Sequence, residues 1–277
     1  MTDDPDPEPD PGPAPEPDPD PGLGRGVLHP ARAAELISVE RLVPAPAVAR
    51  FVEFYWLVRW DLRGLPPYEQ KVLAHPNVHL VFEAPRARVY GVDRSLFVRR
   101  LEGAGHVLGV KFRPGAFRPF AGRPVVSLAD RSVPADEFFG PEVDRCNARV
   151  LGAPGAALAD GFLLPRLPEP DPVADEVAAM VERITTRPDL CRVDELARES
   201  GVTVRRLQRL FAEYVGVSPK WVLRRARLHE AAERAGAGGE LDLAALAAEL
   251  GYADQAHLTR DFTAAVGESP ARYAAAG

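Results

Sequence analysis

Apolar residues recur at helical spacing from about residue 172 onward. Valine, methionine and isoleucine follow one another three or four positions apart at the start of this stretch: Val173, Val177, Met180, Val181 and Ile184. This spacing places the side chains on one face of an amphipathic helix. Asp171 is suited to cap that helix, and Pro172 fits its first turn. The pattern predicts that residues 173–277 form an all-α domain.

Residues 23–162 show a different pattern, in which short apolar runs alternate with glycine and proline clusters. The runs have strand length: Tyr55–Trp60, His79–Glu83, Arg88–Val92, Leu96–Val98 and His106–Phe112. Such runs are typical of antiparallel β structure, and Pro46–Phe54 adds a short predicted helix. Residues 163–172 are too rich in proline for a helix or strand and are predicted to be a linker. The predicted fold class is α+β multidomain, with a mostly β ligand-binding or interaction domain before the all-α domain.

The C-terminal sequence contains an internal duplication. LARESG at 196–201 matches LAAELG at 246–251 with an offset of 50, and LQRLFAEYVGVSP at 207–219 matches LTRDFTAAVGESP at 258–270 with an offset of 51. Each copy predicts a helix-turn-helix unit, whose first helix ends at a glycine in the left-handed conformation. Residues 218–235 read as one long helix that links the two units. One extra residue lies in the second turn, so Thr203 and Asp254 are the predicted caps of the two second helices.

The outward faces of these second helices carry side chains suited to reading DNA. The apolar residues Leu207, Leu210, Phe211, Leu258 and Phe262 are predicted to face inward. Arginine pairs with guanine, glutamine with adenine, and threonine can contact a thymine methyl group, each good pair contributing about 1–3 kcal/mol of discrimination. The predicted DNA-binding residues are Arg205, Arg206, Gln208, Arg209, Gln255, His257, Thr259 and Arg260. A helical bundle with solvated arginines is the alternative interpretation.

Charge is unevenly distributed along the chain. Residues 1–22 alternate proline with acidic residues and hold eight acids and no lysine or arginine. Such a composition predicts a disordered tail; a solubilising role is favoured over that of an acidic decoy that competes with DNA. Removing these eight acids from the net charge of −6 leaves +2. Seven bases lie within residues 203–227 and predict a basic patch: Arg205, Arg206, Arg209, Lys220, Arg224, Arg225 and Arg227.

The duplicated region resembles the DNA-binding domain of AraC/XylS-family bacterial transcription regulators. The family pattern is two helix-turn-helix units on a linker helix, each closed by Gly-x-Ser-Pro. Here the closures are GVSP at 216–219 and GESP at 267–270, with RRARLHEA between them, and the resemblance covers about residues 172–275. Ala253, Leu258 and Ala274 depart from the family's usual capping Ser, Phe and basic residue.

This resemblance implies a regulator that places its two second helices in successive major grooves of double-stranded DNA. It further implies a protein with no cofactor and no catalysis, for which a small-molecule effector and RNA polymerase are candidate partners. Its two cysteines fit a reducing compartment, so we expect a cytoplasmic protein. The segments YWLVRWDLRG, HPNVHLVFE and Gly109–Phe120 are similar to N-terminal domains of some actinobacterial members. That similarity implies a regulatory role for the N-terminal domain, through which DNA binding would be modulated.

Alternative interpretations concern the N-terminal domain. His75, His79, Glu83 and His106 are the residue types of a metal site in a cupin-like barrel, so a metal-dependent enzyme fused to a DNA-binding domain is the alternative function. Surface or hydrogen-bonded histidines are the favoured interpretation. The aromatics Tyr55, Trp56, Trp60, Phe82 and Phe112 are expected to form core rather than line a pocket. Two cysteines exclude a disulfide framework, and no apolar run is long enough for a membrane span.

Overall fold

The computed structural model describes residues 25–187, 189–237 and 241–276. The predicted tail at residues 1–22 lies outside this described part. The described chain combines a β-rich N-terminal part with an entirely helical part that begins at Pro172. The predicted fold class is thereby confirmed. No helix of the described residues is both long and apolar enough to cross a membrane.

The N-terminal part is built on antiparallel strands. A six-stranded sheet has the order β1-β2-β7-β4-β5-β8, and β3 pairs with β6 in a separate two-stranded sheet. The strands are β1 Ile37–Leu42, β2 Val52–Asp61, β3 Tyr68–Leu73, β4 His79–Phe82, β5 Arg88–Tyr90, β6 Leu96–Leu101, β7 Ala104–Phe112 and β8 Ser132–Pro134. Each of the five predicted runs coincides with a strand.

Six short helices accompany these strands. They are α1 Pro30–Leu36, α2 Pro46–Ala49, α3 Arg118–Ala121, α4 Asp136–Phe139, α5 Glu142–Gly152 and α6 Ala156–Leu163. Buried residues of α5 and α6 pack with one face of the larger sheet in a single core that includes Tyr55, Phe82 and Phe112. These are three of the five aromatics expected to form core, and they are completely buried, so that expectation is confirmed for them.

The predicted helix Pro46–Phe54 is wrong in its second half. The helix stops at Ala49, and β2 begins at Val52. The chain extends because Phe51, Val52 and Tyr55 are buried in the sheet core, and Phe54 already pairs with Lys111 of β7. Tertiary packing therefore overrides the local helical spacing.

The C-terminal part contains seven helices among its described residues. They are α7 Pro172–Thr186, α8 Val193–Glu199, α9 Val204–Leu210, α10 Pro219–Gly236, α11 Leu243–Glu249, α12 Gln255–Val266 and α13 Pro270–Ala275. A single π-helical segment, Phe211–Val215, continues α9. Asp171 accepts a hydrogen bond from the amide of Val173, which confirms the predicted cap of α7.

The two parts share hydrophobic clusters. Val92 of the N-terminal part packs with the buried residues of α7, α8 and α9. Leu28 and Leu73 pack with the buried residues of α10, α11, α12 and α13. Polar contacts cross the same boundary: the Arg118 Nε donates to Glu213 Oε1 at 2.6 Å. The N-terminal part therefore contacts both halves of the duplicated region.

Candidate nucleic-acid interface

Backbone hydrogen bonds repeat in the two predicted helix-turn-helix units. The amide of Val202 donates to the Ala197 carbonyl at 3.0 Å, and the amide of Tyr252 donates to the Ala247 carbonyl at 2.8 Å. These pairs are 50 residues apart, as in the sequence duplication. Gly201 and Gly251 have φ values of +64° and +67°, which confirms the predicted left-handed position after each first helix.

The caps of the two second helices repeat with an offset of 51. Thr203 Oγ1 accepts from the Arg206 amide at 3.2 Å, and Asp254 Oδ1 accepts from the His257 amide at 2.7 Å. Both predicted caps are confirmed. The extra residue, Ala253, lies in the turn before Asp254 and leaves each second helix at the same distance from its closing glycine.

The closing Gly-x-Ser-Pro segments also match. Ser218 Oγ accepts from the Trp221 amide at 3.2 Å, and Ser269 Oγ accepts from the Arg272 amide at 3.3 Å. Each serine thus caps the helix that starts at the following proline. The motif is used in the same way in both units because a serine cap and a proline in the first turn begin the next helix without delay.

The apolar residues of α9 and α12 face inward, as predicted. Leu207 and Phe211 in the first unit, and Leu258 and Phe262 in the second, are completely buried. The outward face is therefore left to the polar side chains. Seven of the eight predicted DNA-binding residues are exposed: Arg205, Arg206, Gln208, Arg209, Gln255, His257 and Arg260.

Thr259 differs from the other predicted residues because it is half-buried. Its carbonyl accepts a hydrogen bond from the Thr263 hydroxyl at 2.7 Å. The His257 ring meets the Tyr252 ring edge-on, with 5.1 Å between centroids. Among the predicted DNA-binding residues, α12 therefore presents fewer exposed side chains without protein contacts than α9 does.

The arginines of these faces have no partner among the described residues. The side chains of Arg205, Arg206, Arg209 and Arg260 form neither an ion pair nor a hydrogen bond within the part of the chain that the structure describes. Other arginines of the C-terminal part do form ion pairs: Arg187, Arg192, Arg198, Arg224 and Arg234. Guanidinium groups left free on one face are available for phosphates and base edges.

The predicted basic patch is smaller than the sequence indicated. Arg224 forms a two-bond ion pair with Asp261 of α12, at 2.8 and 3.1 Å. Arg227 donates to the Leu250 carbonyl and lies over the ring of Tyr252, 4.5 Å from its centroid. These two arginines contact the second unit because α10 packs against it.

Arg225, like Arg224 and Arg227, is a member of the predicted basic patch that is engaged in contacts within the protein. It is only 4% exposed, donates to the Arg94 carbonyl at 2.8 Å and lies over the Trp221 ring. Burial, with the charge of Arg224 beside it, lowers the pKa of this guanidinium. A local sequence pattern could not reveal this burial, because Arg94, which accepts the hydrogen bond, belongs to the N-terminal part.

Val204 is a residue that the sequence reasoning missed. It is the first residue of α9 and is 37% exposed although apolar. An apolar side chain beside Arg205 is suited to contact a thymine methyl group. Its position between the Thr203 cap and the arginines Arg205 and Arg206 is the sequence feature that could have pointed to this contact.

The structure does not bring together the four residues of the alternative metal site, His75, His79, Glu83 and His106. Glu83 accepts hydrogen bonds from Tyr90 and Arg99, and His79 Nδ1 accepts from Trp56 Nε1 at 3.1 Å. The described residues contain no group of three or more histidine, cysteine, aspartate or glutamate side chains that could hold a metal ion. Glu83 and His79 are therefore already engaged with protein groups.

Comparison with protein-family models gives two matches. Residues 196–276 match a family described as a helix-turn-helix domain, and residues 40–134 match a domain of unknown function (DUF6597). No curated protein sequence matches the chain.

Several solved structures are similar to the chain. The C-terminal domain of AraT, a response regulator from Geobacillus stearothermophilus, is 24% identical over 39% of this chain and 89% of its own, with a TM-score of 0.35. ToxT from Vibrio cholerae O395 is 11% identical over 87% of this chain and 96% of its own, with a TM-score of 0.38. Unsaturated fatty acid bound ToxT from Vibrio cholerae is also 11% identical, over 86% and 94%, with a TM-score of 0.35.

The repeated caps, closures and helices, together with the family match, define the C-terminal part as a helix-turn-helix DNA-binding domain. This domain occupies residues 196–276, and a domain of unknown function precedes it at residues 40–134.

Proposed function

We propose that the protein binds specific DNA sequences by placing α9 and α12 in two successive major grooves. The observation that carries this proposal is the pair of outward faces, one on each helix, with four arginines that have no partner among the described residues. We assign base or phosphate contacts to Arg205, Arg206, Gln208, Arg209, Gln255, His257, Thr259 and Arg260. Val204 joins them as an apolar contact.

Binding to specific and non-specific DNA tests these roles. Arg209→Ala and Arg260→Ala should each weaken binding to a selected site about 5- to 150-fold, as expected for the loss of one bidentate base contact. Binding to unrelated DNA should weaken less. Equal loss on all sequences would show that both arginines contact phosphates only. Arg145→Ala is the matched control, since Arg145 lies in α5 and its side chain is 81% exposed.

Absence of any sequence preference would overturn the proposal. The test uses the full chain and a library of genomic fragments at low and moderate salt, because non-specific phosphate contacts dominate at low salt.

We also propose that the N-terminal part modulates DNA binding, in response to a small-molecule effector, by holding both units. Support comes from contacts to each closure region. Arg118 pairs with Glu213 before the first closure. His29 Nε2 lies 2.7 Å from Glu268 Oε1 inside the second. Arg118→Gln and His29→Gln should each change the affinity for a selected site, whereas unchanged affinity in both variants would contradict this role.

A further inference from the structure

Residues 1–24 precede the described part of the chain and carry a strong negative charge. They contain eight aspartates and glutamates and no lysine or arginine. Acidic residues and prolines alternate through most of this segment, which we call the acidic segment.

The acidic segment joins the described chain beside the DNA-binding domain. Arg25, the first described residue, forms ion pairs with Glu230 at 2.6 Å and Glu233 at 2.7 Å, both on α10. The next residues remain close to the second unit, because the His29 amide donates to the Tyr273 hydroxyl at 3.3 Å. These contacts fix the point at which the acidic segment joins the described chain.

The faces of α9 and α12 lie within reach of this point. Glu230 is six residues from Arg224 on α10, a distance of about 9 Å along a helix. Arg224 pairs with Asp261, the neighbour of Arg260 on α12. Twenty-two residues separate Asp3 from Arg25 and could span about 70 Å in an extended chain. The acidic segment is therefore long enough to pass over α12 and continue to α9.

Charge complementarity identifies the surface that fits it. Arg205, Arg206, Arg209 and Arg260 are exposed and unpaired among the described residues, whereas most other arginines of the C-terminal part are neutralised by carboxylates. A row of carboxylates offers these guanidinium groups the same charge-assisted hydrogen bonds as a row of phosphates.

We propose that residues 1–22 bind the outward faces of α9 and α12 and compete there with DNA. This proposal rests on the proposed function, because it assigns the acidic segment to the surface that reads DNA. Attachment to the same chain gives the segment an effective concentration of about 1 mM; a binding constant near 0.1 mM would then weaken DNA binding roughly tenfold. Specific binding would thus require displacement of the segment, and weak non-specific contacts would be suppressed.

The first test requires no DNA. It uses a fluorescent peptide of residues 1–22 and a full-length variant in which the eight acids are replaced by asparagine or glutamine. The peptide should bind this neutral variant at least fivefold more tightly than the native chain, whose own segment occupies the surface. Adding Arg209→Gln and Arg260→Gln to the neutral variant should remove most of the binding. Adding Arg145→Gln instead, which removes one positive charge from α5, should leave peptide binding unchanged.

Peptide binding that is indifferent to Arg209 and Arg260, or no binding at low salt, would overturn the proposal. Because this measurement contains no DNA, its result is separate from that of the proposed function. A chain that reads DNA but does not bind the peptide would refute the acidic segment alone.

The second test measures DNA affinity. The neutral variant should bind DNA roughly tenfold more tightly than the native chain at low salt, and the ratio should approach one as salt screens both sets of contacts. Equal affinity of the two proteins at low salt would contradict the competition.

Discussion

The rings of His75 and His229 stack face to face across the boundary between the two parts of the protein, 4.1 Å apart and 14° from parallel. His75 Nε2 lies 2.7 Å from the Arg25 carbonyl, and His229 is 5% exposed. Burial, with the charge of Lys111 nearby, lowers the pKa of His75 to about 3. Burial, with the charge of Arg225 nearby, holds the pKa of His229 well below its usual value. Both rings are therefore neutral at pH 7.

Stability should consequently fall in acid. The unfolded chain takes up protons below pH 6.5 that the folded chain excludes, so the contribution is complete above that pH and declines as the pH falls toward 3. Denaturant unfolding at pH 7 and pH 5 should show that His229→Gln removes about 1–2 kcal/mol of this pH dependence. His257→Gln, at an exposed position, should leave the pH dependence unchanged. An identical dependence in the native chain and His229→Gln would refute the role of the stack.

The first closing glycine should be more sensitive to substitution than the glycine of the first turn. Gly216 has a φ of +92°, and an added Cβ would lie 3.1 Å from the Val125 carbonyl oxygen. Gly201 has a φ of +64° with open space around it. Gly201→Ala should therefore cost about 1 kcal/mol for its backbone alone, and Gly216→Ala about 2–3 kcal/mol because crowding adds to strain. Equal losses in thermal unfolding would argue against close packing of Val125 on the closure.

The ion pair between Arg224 and Asp261 should couple α10 to α12. A double-mutant cycle with Arg224→Gln and Asp261→Asn is expected to give a coupling free energy of about 1 kcal/mol, since the pair is two-bonded but partly exposed. We expect both single variants also to weaken specific DNA binding, because α12 loses its fixed orientation. Additive effects on unfolding would show that the pair contributes nothing.

Asp171 should contribute to stability through two contacts. Its carboxylate caps α7 and also accepts from the Tyr214 hydroxyl at 2.8 Å, an interaction that, with burial, raises the pKa of Tyr214 to about 12. Asp171→Ala should cost about 2 kcal/mol and Tyr214→Phe about 1 kcal/mol in denaturant unfolding. If Tyr214→Phe lowers the free energy of unfolding as much as Asp171→Ala does, the cap contributes little and the contact with Tyr214 carries the stability.

The duplicated region could be predicted from the sequence because its determinants are local. Leu207, Thr203 and Gly201 specify a buried position, a cap and a turn within a few residues of one another, and the second unit repeats the same features. The five apolar runs of the N-terminal part also predicted strands correctly for the same reason.

Elements with weaker local patterns were missed. Strand β1 alternates little, with a single buried residue, Ile37. Helix α5 carries buried residues at helical spacing, including Val143, Asn147 and Val150, but charged residues between them obscured the signal. The burial of Arg225 depends on contacts between distant segments, which no local pattern contains.

Sequence selection from random DNA by the native chain and by two single variants tests the central claim most directly. If α9 and α12 read successive grooves, the selected site should contain two specified blocks whose centres lie about 10 base pairs apart. Arg209→Ala should relax one block and Arg260→Ala the other. A single block, or loss of preference in the same block for both variants, would contradict reading by two helices.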